Sequence, residues 1–92
     1  MKIDGKFSGV IIKAKDGSVV PPDQYIVFLA KDNALPATVR FYEEECERLG
    51  ADARQLEAVR KMRARLDRWR QAHHDLCKVP DVAVGETLLD DQ

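Results

Sequence analysis

The sequence lacks the features that most directly indicate a function. Two cysteines, Cys46 and Cys77, are too few for a disulfide framework. The first residues, MKIDGKFS, contain no apolar core of a signal peptide, and no apolar run approaches the roughly 20 residues of a membrane span. The five glycines are scattered and form no phosphate-binding loop. We therefore expect neither a disulfide-stabilised secreted protein nor a membrane protein, and a cytoplasmic location is the default.

The composition is that of a globular protein, with 45% hydrophobic and 34% charged residues. The net charge of −1 conceals an uneven distribution. Residues 54–70 carry seven basic and two acidic side chains, a balance of +5, whereas residues 35–49 carry two basic and four acidic ones, a balance of −2. We predict one α+β domain over residues 1–80, followed by an acidic tail over residues 81–92 whose composition allows flexibility.

Short antiparallel strands are predicted in the N-terminal third. Asp4-Gly5 and Asp16-Gly17 are dipeptides typical of type I′ hairpin turns, because both residues tolerate a positive φ. Pro21-Pro22 then interrupts the pattern, since proline cannot donate to a strand ladder. We predict three to four strands, the last over residues 24–30.

That last strand differs from the others, because Tyr25–Leu29 is apolar at every position. Such a run predicts burial on both faces. Two helices can cover only one face of a small sheet, so the other face needs a further layer. A second copy of the chain is the simplest candidate, and we predict a homo-oligomer.

Two helices in an antiparallel hairpin are predicted to follow. The first opens near Asn33 as N-cap, and Gly50 ends it. Asp52 and Gln55 form a capping-box pattern for the second helix, which runs from about Ala53 to about His73. The predicted core stripes are Leu35, Val39, Tyr42, Cys46 and Leu49 on the first helix, and Val59, Met62, Leu66 and Trp69 on the second.

No catalytic or metal site is predicted. His73, His74, Asp75 and Cys77 are clustered, but zinc needs about four well-arranged ligands, and one short patch at a helix end provides no second half. The acids at positions 43–45 and 47 are interpreted as a solvated helix face, with Glu44 paired to Arg48. We expect a protein that is not an enzyme and has no cofactor.

The arginine-rich second helix has three interpretations. Arg54, Lys61, Arg65 and Arg68 point away from the core stripe and suit nucleic-acid phosphates, although the acidic first helix and tail would repel a duplex. The same residues also suit a plain solvated face. Alternatively, arginines at the stripe border bind a small anionic ligand. The predicted ligand-binding residues are Asp32 and Asn33 at the polar elbow before the first helix, Phe41 as a stacking aromatic, and Arg60, Arg63 and Arg70.

The order of elements, together with the stretch YIVFLAKDNALPATVRFYEEECERLGA, resembles the anti-Thoeris sponges of bacteriophages. These small proteins defeat a host defence by sequestering its nucleotide signal. The resemblance covers roughly residues 6–74. It implies a non-catalytic, oligomeric protein in the host cytoplasm that binds a cyclic ADP-ribose isomer or a cyclic oligonucleotide. The alternative is a phage-type protein-interaction module, such as a host or CRISPR inhibitor, that acts through its charged helices.

Overall fold

The computed structural model describes residues 2–86 and has the predicted α+β class. Its elements are β1 (Ile11–Ile12), β2 (Val19–Val20), α1 (Leu35–Arg48) and α2 (Ala53–Ala72), with short 3-10 turns at Pro22–Gln24 and His74–Leu76. The chain divides into two compact units, Met1–Val27 with Asp81–Gln92, and Phe28–Pro80. None of the helices in the described part is long and apolar enough to cross a membrane.

The first unit contains a β-hairpin at the second predicted turn. β1 and β2 pair antiparallel, with Ile11 opposite Val20, and the Lys13 N–H donates to the Ser18 carbonyl at 2.8 Å. Gly17 has a φ of 74°, but no non-glycine residue in the described part has a positive φ. The predicted type I′ turn is therefore wrong, because it requires a positive φ at Asp16 as well. A four-residue loop connects Lys13 and Ser18 instead.

The prediction of three to four strands is not confirmed, since the sheet of the described residues has two. Residues 25–29 carry no regular secondary structure, and Pro21 and Pro22 lead into the 3-10 turn that precedes them. Asp4-Gly5 does not form a hairpin turn, because the Asp4 carboxylate binds backbone N–H groups elsewhere. It accepts the backbone N–H groups of Lys6 at 2.9 Å and Val27 at 2.8 Å.

Asp4 is a buried acidic side chain of the first unit. Burial alone would raise its pKa, but the backbone donors of Val27, Lys6 and Phe7, with a contribution from Lys2, hold the pKa below its ordinary value. In the same unit, the Lys6 side chain donates to the Asp81 carbonyl at 2.7 Å and pairs with Glu86 at 3.2 Å. The rest of the predicted tail, residues 87–92, lies outside the described residues.

In the second unit, α1 begins one residue later than predicted. Its N-cap is Ala34, which has no side-chain cap, so the prediction of Asn33 as N-cap is wrong. The Asp32 carboxylate instead accepts the Ala34 N–H at 2.7 Å, while the Asn33 N–H donates to the Lys78 carbonyl at 2.9 Å. The carboxylate of Asp32, one residue before Asn33, therefore accepts a backbone N–H at the start of α1 that has no partner within the helix.

The C-terminus of α1 agrees with the prediction. Gly50 has a φ of 77°, and its N–H donates to the Glu47 carbonyl at 3.1 Å. The Ala51 N–H donates to the Cys46 carbonyl at 2.9 Å. These two bonds form a Schellman motif, which satisfies carbonyls that the helix end would leave unpaired.

α2 begins at the predicted cap, because the Asp52 carboxylate accepts the Gln55 N–H at 3.0 Å. The two helices pack against each other over a small core of Leu35, Val39 and Val59, against which Leu66 packs. Cys46 is also buried. The predicted stripes were too wide, because Tyr42, Leu49 and Met62 are all exposed. Hydrophobic periodicity indicates which helix face is apolar, but the width of the buried strip depends on how much protein covers it.

Candidate functional site: the arginines of the helical hairpin

One side of the helical hairpin is an ion-pair network between α1 and α2. Arg60 contacts Glu43 at 3.0 Å and Glu47 at 2.8 Å, and Arg63 contacts the second oxygen of Glu43 at 2.5 Å. The hydrogen bonds from Arg63 and Arg60 hold the pKa of Glu43 below its ordinary value. Glu43 and Glu47 thus neutralise two of the arginines that the sequence predicts as ligand-binding.

The third predicted arginine, Arg70, binds the polar elbow that precedes α1. Its Nη1 donates to the carbonyls of Ala30 at 2.9 Å and Asp32 at 3.0 Å, and its Nη2 donates to the Asn33 Oδ1 at 2.9 Å. A planar guanidinium suits this arrangement, because its donors diverge in fixed directions. Arg70 therefore fixes the turn between residue 30 and the start of α1 to the last turns of α2.

The elbow is also attached to the segment after α2. The Lys78 N–H donates to the Lys31 carbonyl at 3.0 Å, and Asp32 and Lys78 form an isolated parallel bridge. The backbone groups of the elbow are consequently held from two directions. Among its described polar groups, the second carboxylate oxygen of Asp32 and the side-chain amide nitrogen of Asn33 are the main ones still available to bind a ligand.

The structure therefore brings the predicted site residues together in two groups and leaves one apart. Asp32, Asn33 and Arg70 meet at the elbow, and Arg60 and Arg63 meet at Glu43. Phe41 joins neither group. It is 62% exposed, and helical periodicity places it on the side of α1 turned away from α2. Helical periodicity predicted which side of the second helix carries these arginines, but it could not show which internal oxygens they bind.

A different set of cations lies on the outward side of α2. Arg54, Arg65 and Arg68 are exposed, and we call them the arginine row. Within residues 2–86, none of the three forms a salt bridge. Lys61, on the same side, pairs with Glu57 at 3.2 Å. From the helical rise, the row extends for about 21 Å.

Exposed apolar side chains also occur near the arginine row, because Met62 and Arg65 are three residues apart on α2 and are therefore neighbours on its surface. We call this group of side chains the apolar flank. It consists of Tyr42 and Leu49 from α1 and Met62 from α2. Leu49 is 71% exposed and Met62 is 47% exposed, whereas Val59 on the adjacent core side is 3% exposed. The Gln55 amide donates to the Tyr42 hydroxyl at 3.5 Å, which indicates that the two helices contribute to the same flank.

Sequence reasoning missed the apolar flank, because it assigned these three residues to the core. It also misassigned one surface ion pair. Arg48 binds Glu45, with its Nη2 at 2.7 Å from the carboxylate, and the predicted Glu44–Arg48 pair is wrong. Among the acids of α1, Glu43 and Glu47 bind α2 and Glu45 binds Arg48, so the predicted solvated face is largely an ion-paired one.

His73 and Cys77, near the end of α2, have structural contacts. The His73 ring stacks on Trp69 with centroids 4.5 Å apart, and its Nδ1 lies 2.8 Å from the Trp69 carbonyl. The Cys77 thiol lies 3.6 Å from the His73 carbonyl. In the described residues, no group of three or more His, Cys, Asp or Glu side chains is arranged to hold a metal ion.

Comparison with protein-family models, curated proteins and solved structures found no match for this chain. The resemblance to anti-Thoeris sponges accordingly stays a prediction.

Proposed function

We propose that the protein is a non-catalytic interaction module whose binding surface is the arginine row together with the apolar flank. One observation carries this proposal. The arginines that face α1 and the elbow are bound by internal oxygens, whereas Arg54, Arg65 and Arg68 face solvent without a salt bridge in the described part of the chain.

The chemistry of this surface indicates the kind of partner that fits it. The members of the arginine row are 11 and 3 residues apart along one helix, and exposed apolar side chains lie beside them. This arrangement complements an acidic amphipathic helix. Such a helix would place its apolar side on Met62, Tyr42 and Leu49 and its carboxylates on the arginine row. Methionine suits this role, because its flexible side chain adapts to different apolar partners. The docked helix would turn the hairpin into a three-helix bundle with a larger core.

A synthetic acidic amphipathic helical peptide tests this proposal by isothermal titration calorimetry. Arg65→Glu should weaken the affinity about tenfold, which corresponds to about 1.4 kcal/mol. Arg40→Glu is the matched control, since Arg40 is exposed on α1, forms no salt bridge in the described residues and gives the same change in net charge. Equal losses in both variants would indicate general charge attraction and would overturn the proposal, as would an undetectable interaction with the unaltered protein.

A second candidate function is the sequestration of a cyclic nucleotide signal. One observation favours it: Arg60 and Arg63 converge on one carboxylate. A phosphate has the charge and geometry to take the place of Glu43 between the two guanidinium groups. Binding would then occur by exchange of anions, with no catalytic group required.

Incubation with a cyclic ADP-ribose isomer tests the second candidate. The protein should deplete the nucleotide from solution and release it unchanged on heating, whereas a hydrolysed product would indicate an enzyme. Glu43→Gln should raise the affinity, because it removes the competing carboxylate from Arg60 and Arg63. A lowered or unchanged affinity in this variant would contradict binding between these two arginines.

A further inference from the structure

The side of α2 that carries Met62 has the regular spacing of a helix-packing seam. Four residues follow one another there at intervals of four, three and four positions. These residues, which we call the α2 seam, are Ala58, Met62, Arg65 and Trp69. Residues at such intervals line one side of a helix, and helices pack against each other along such lines. Met62 is 47% exposed, Ala58 is exposed and Trp69 is half-buried, so the α2 seam is uncovered along most of its length.

α1 presents a second seam on the same side of the hairpin. Its residues have the same intervals of four, three and four positions. These residues, which we call the α1 seam, are Thr38, Tyr42, Glu45 and Leu49. Tyr42 is 51% exposed, and its hydroxyl accepts the hydrogen bond of the Gln55 amide from α2. A third helix laid along this side of the hairpin would therefore contact both seams.

Each seam contains one charged side chain, and the two differ in whether that charge is paired. Glu45 binds Arg48 within α1, with the Arg48 Nη2 at 2.7 Å from the carboxylate. The Arg65 side chain forms neither a hydrogen bond nor a salt bridge with another described residue. At 100° per residue, Arg65 lies about 30° from the middle of the α2 seam, whereas Arg68 lies about 90° from it. A docked helix would thus cover Arg65, while Arg68 would stay at the border.

Burial of Arg65 under a docked helix places a requirement on the partner. A guanidinium that loses its water without an opposite charge is strongly destabilising, whereas a carboxylate accepts two parallel hydrogen bonds from it. We infer that the partner helix carries one carboxylate within its apolar stripe, opposite Arg65, an inference that rests on the proposed function. A single polar position inside a helix seam also fixes the register in which helices pack. Arg65 therefore selects the partner and sets its alignment on the hairpin.

Two synthetic helical peptides of identical composition test this requirement by isothermal titration calorimetry. In the first peptide, one glutamate occupies a central position of the apolar stripe, and one leucine lies on the outer side. In the second peptide, this glutamate and this leucine are exchanged, which leaves the stripe wholly apolar. The unaltered protein should bind the first peptide about tenfold more tightly, which corresponds to about 1.4 kcal/mol. Circular dichroism of the free peptides checks that their helix contents match.

Two variants of the protein separate a position in the seam from a position in the arginine row. Arg65→Leu should reverse the order of affinities, because the introduced side chain packs against an apolar stripe and leaves the glutamate of the first peptide unpaired. Arg68→Leu is the matched control: it removes the same charge from the arginine row but lies off the seam, so it should weaken both peptides and keep the order. Both positions are exposed on α2, and leucine favours helix, so the helix content should be unchanged.

The outcomes distinguish this inference from the proposed function. Equal affinity of the unaltered protein for the two peptides, or an unchanged order in Arg65→Leu, would overturn the inference and leave the docking surface in place. The absence of binding by either peptide would overturn both. A single-stranded oligonucleotide that binds where neither peptide does would assign the surface to a polyanion, which also overturns both.

Discussion

Replacement of Arg70 distinguishes a structural role of this side chain from a purely ligand-binding one. Arg70 donates three hydrogen bonds, two to backbone carbonyls and one to the Asn33 side chain. The elbow that it holds leads directly into α1, whose first residue, Leu35, belongs to the small core. If Arg70 were mainly a ligand contact, its removal would leave the fold nearly unchanged. The observed bonds predict the opposite.

The expected loss can be estimated from these three bonds. A hydrogen bond in a protein contributes about 1 kcal/mol net, and bonds from a charged donor contribute somewhat more. The bond to Asn33 is exposed and counts for less, whereas the two carbonyl bonds are partly buried. We expect Arg70→Ala to lower the free energy of unfolding by about 2–3 kcal/mol, which is a large part of the roughly 5–10 kcal/mol expected for so small a protein.

Urea unfolding followed by circular dichroism measures this loss. The midpoint should fall while the slope stays constant, since the surface exposed on unfolding is similar. Arg70→Lys should recover only a small part of the loss, because an ammonium group cannot reach three divergent acceptors as a guanidinium does. Arg68→Ala is the matched control on the outward side of α2 and should stay within about 0.5 kcal/mol of the unaltered protein. Equal stability of the Arg70→Ala and Arg68→Ala variants would refute the reasoning.

Three further predictions concern stability. The pKa of the Asp4 carboxyl is lowered on folding. Its contribution to the free energy of unfolding is therefore present above the ordinary pKa and is lost as the pH falls through the folded pKa. Asp4→Asn should remove this acid-dependent part of the stability, which unfolding curves recorded between neutral and acidic pH measure. Gly50→Ala should cost about 1 kcal/mol in urea unfolding, because a Cβ there meets open space and only the positive φ is unfavourable. Asp52→Ala should also cost about 1 kcal/mol and Asp52→Asn much less, since the amide oxygen still caps α2.

The elements that could be predicted from the sequence are those set by local chemistry. The Asp52 cap, the Gly50 terminus and the bounds of α2 depend on residues close in sequence, and the structure has all three. The hairpin at Asp16-Gly17 was located for the same reason, although its turn type was wrong because Asp16 keeps a negative φ.

The errors arise where distant residues compete. Asp4 was assigned to a turn, but its carboxylate binds the Val27 N–H, 23 positions away, which no local pattern indicates. Asn33 was assigned as a cap, but Arg70 binds its side chain from α2. Likewise, periodicity placed Arg63 at the border of the core, yet only the packed hairpin shows that Glu43 neutralises it.

Chemical-shift mapping on the isotope-labelled protein tests the central claim most directly, because it locates each binding event on the chain. Addition of the acidic helical peptide should shift the amide signals of the arginine row and of Met62 and Tyr42, and leave those of Asp32 and Asn33 in place. Shifts confined to Asp32, Asn33 and Arg70 on addition of a cyclic nucleotide, with none on addition of the peptide, would contradict the claim that the outward side of α2 is the binding surface.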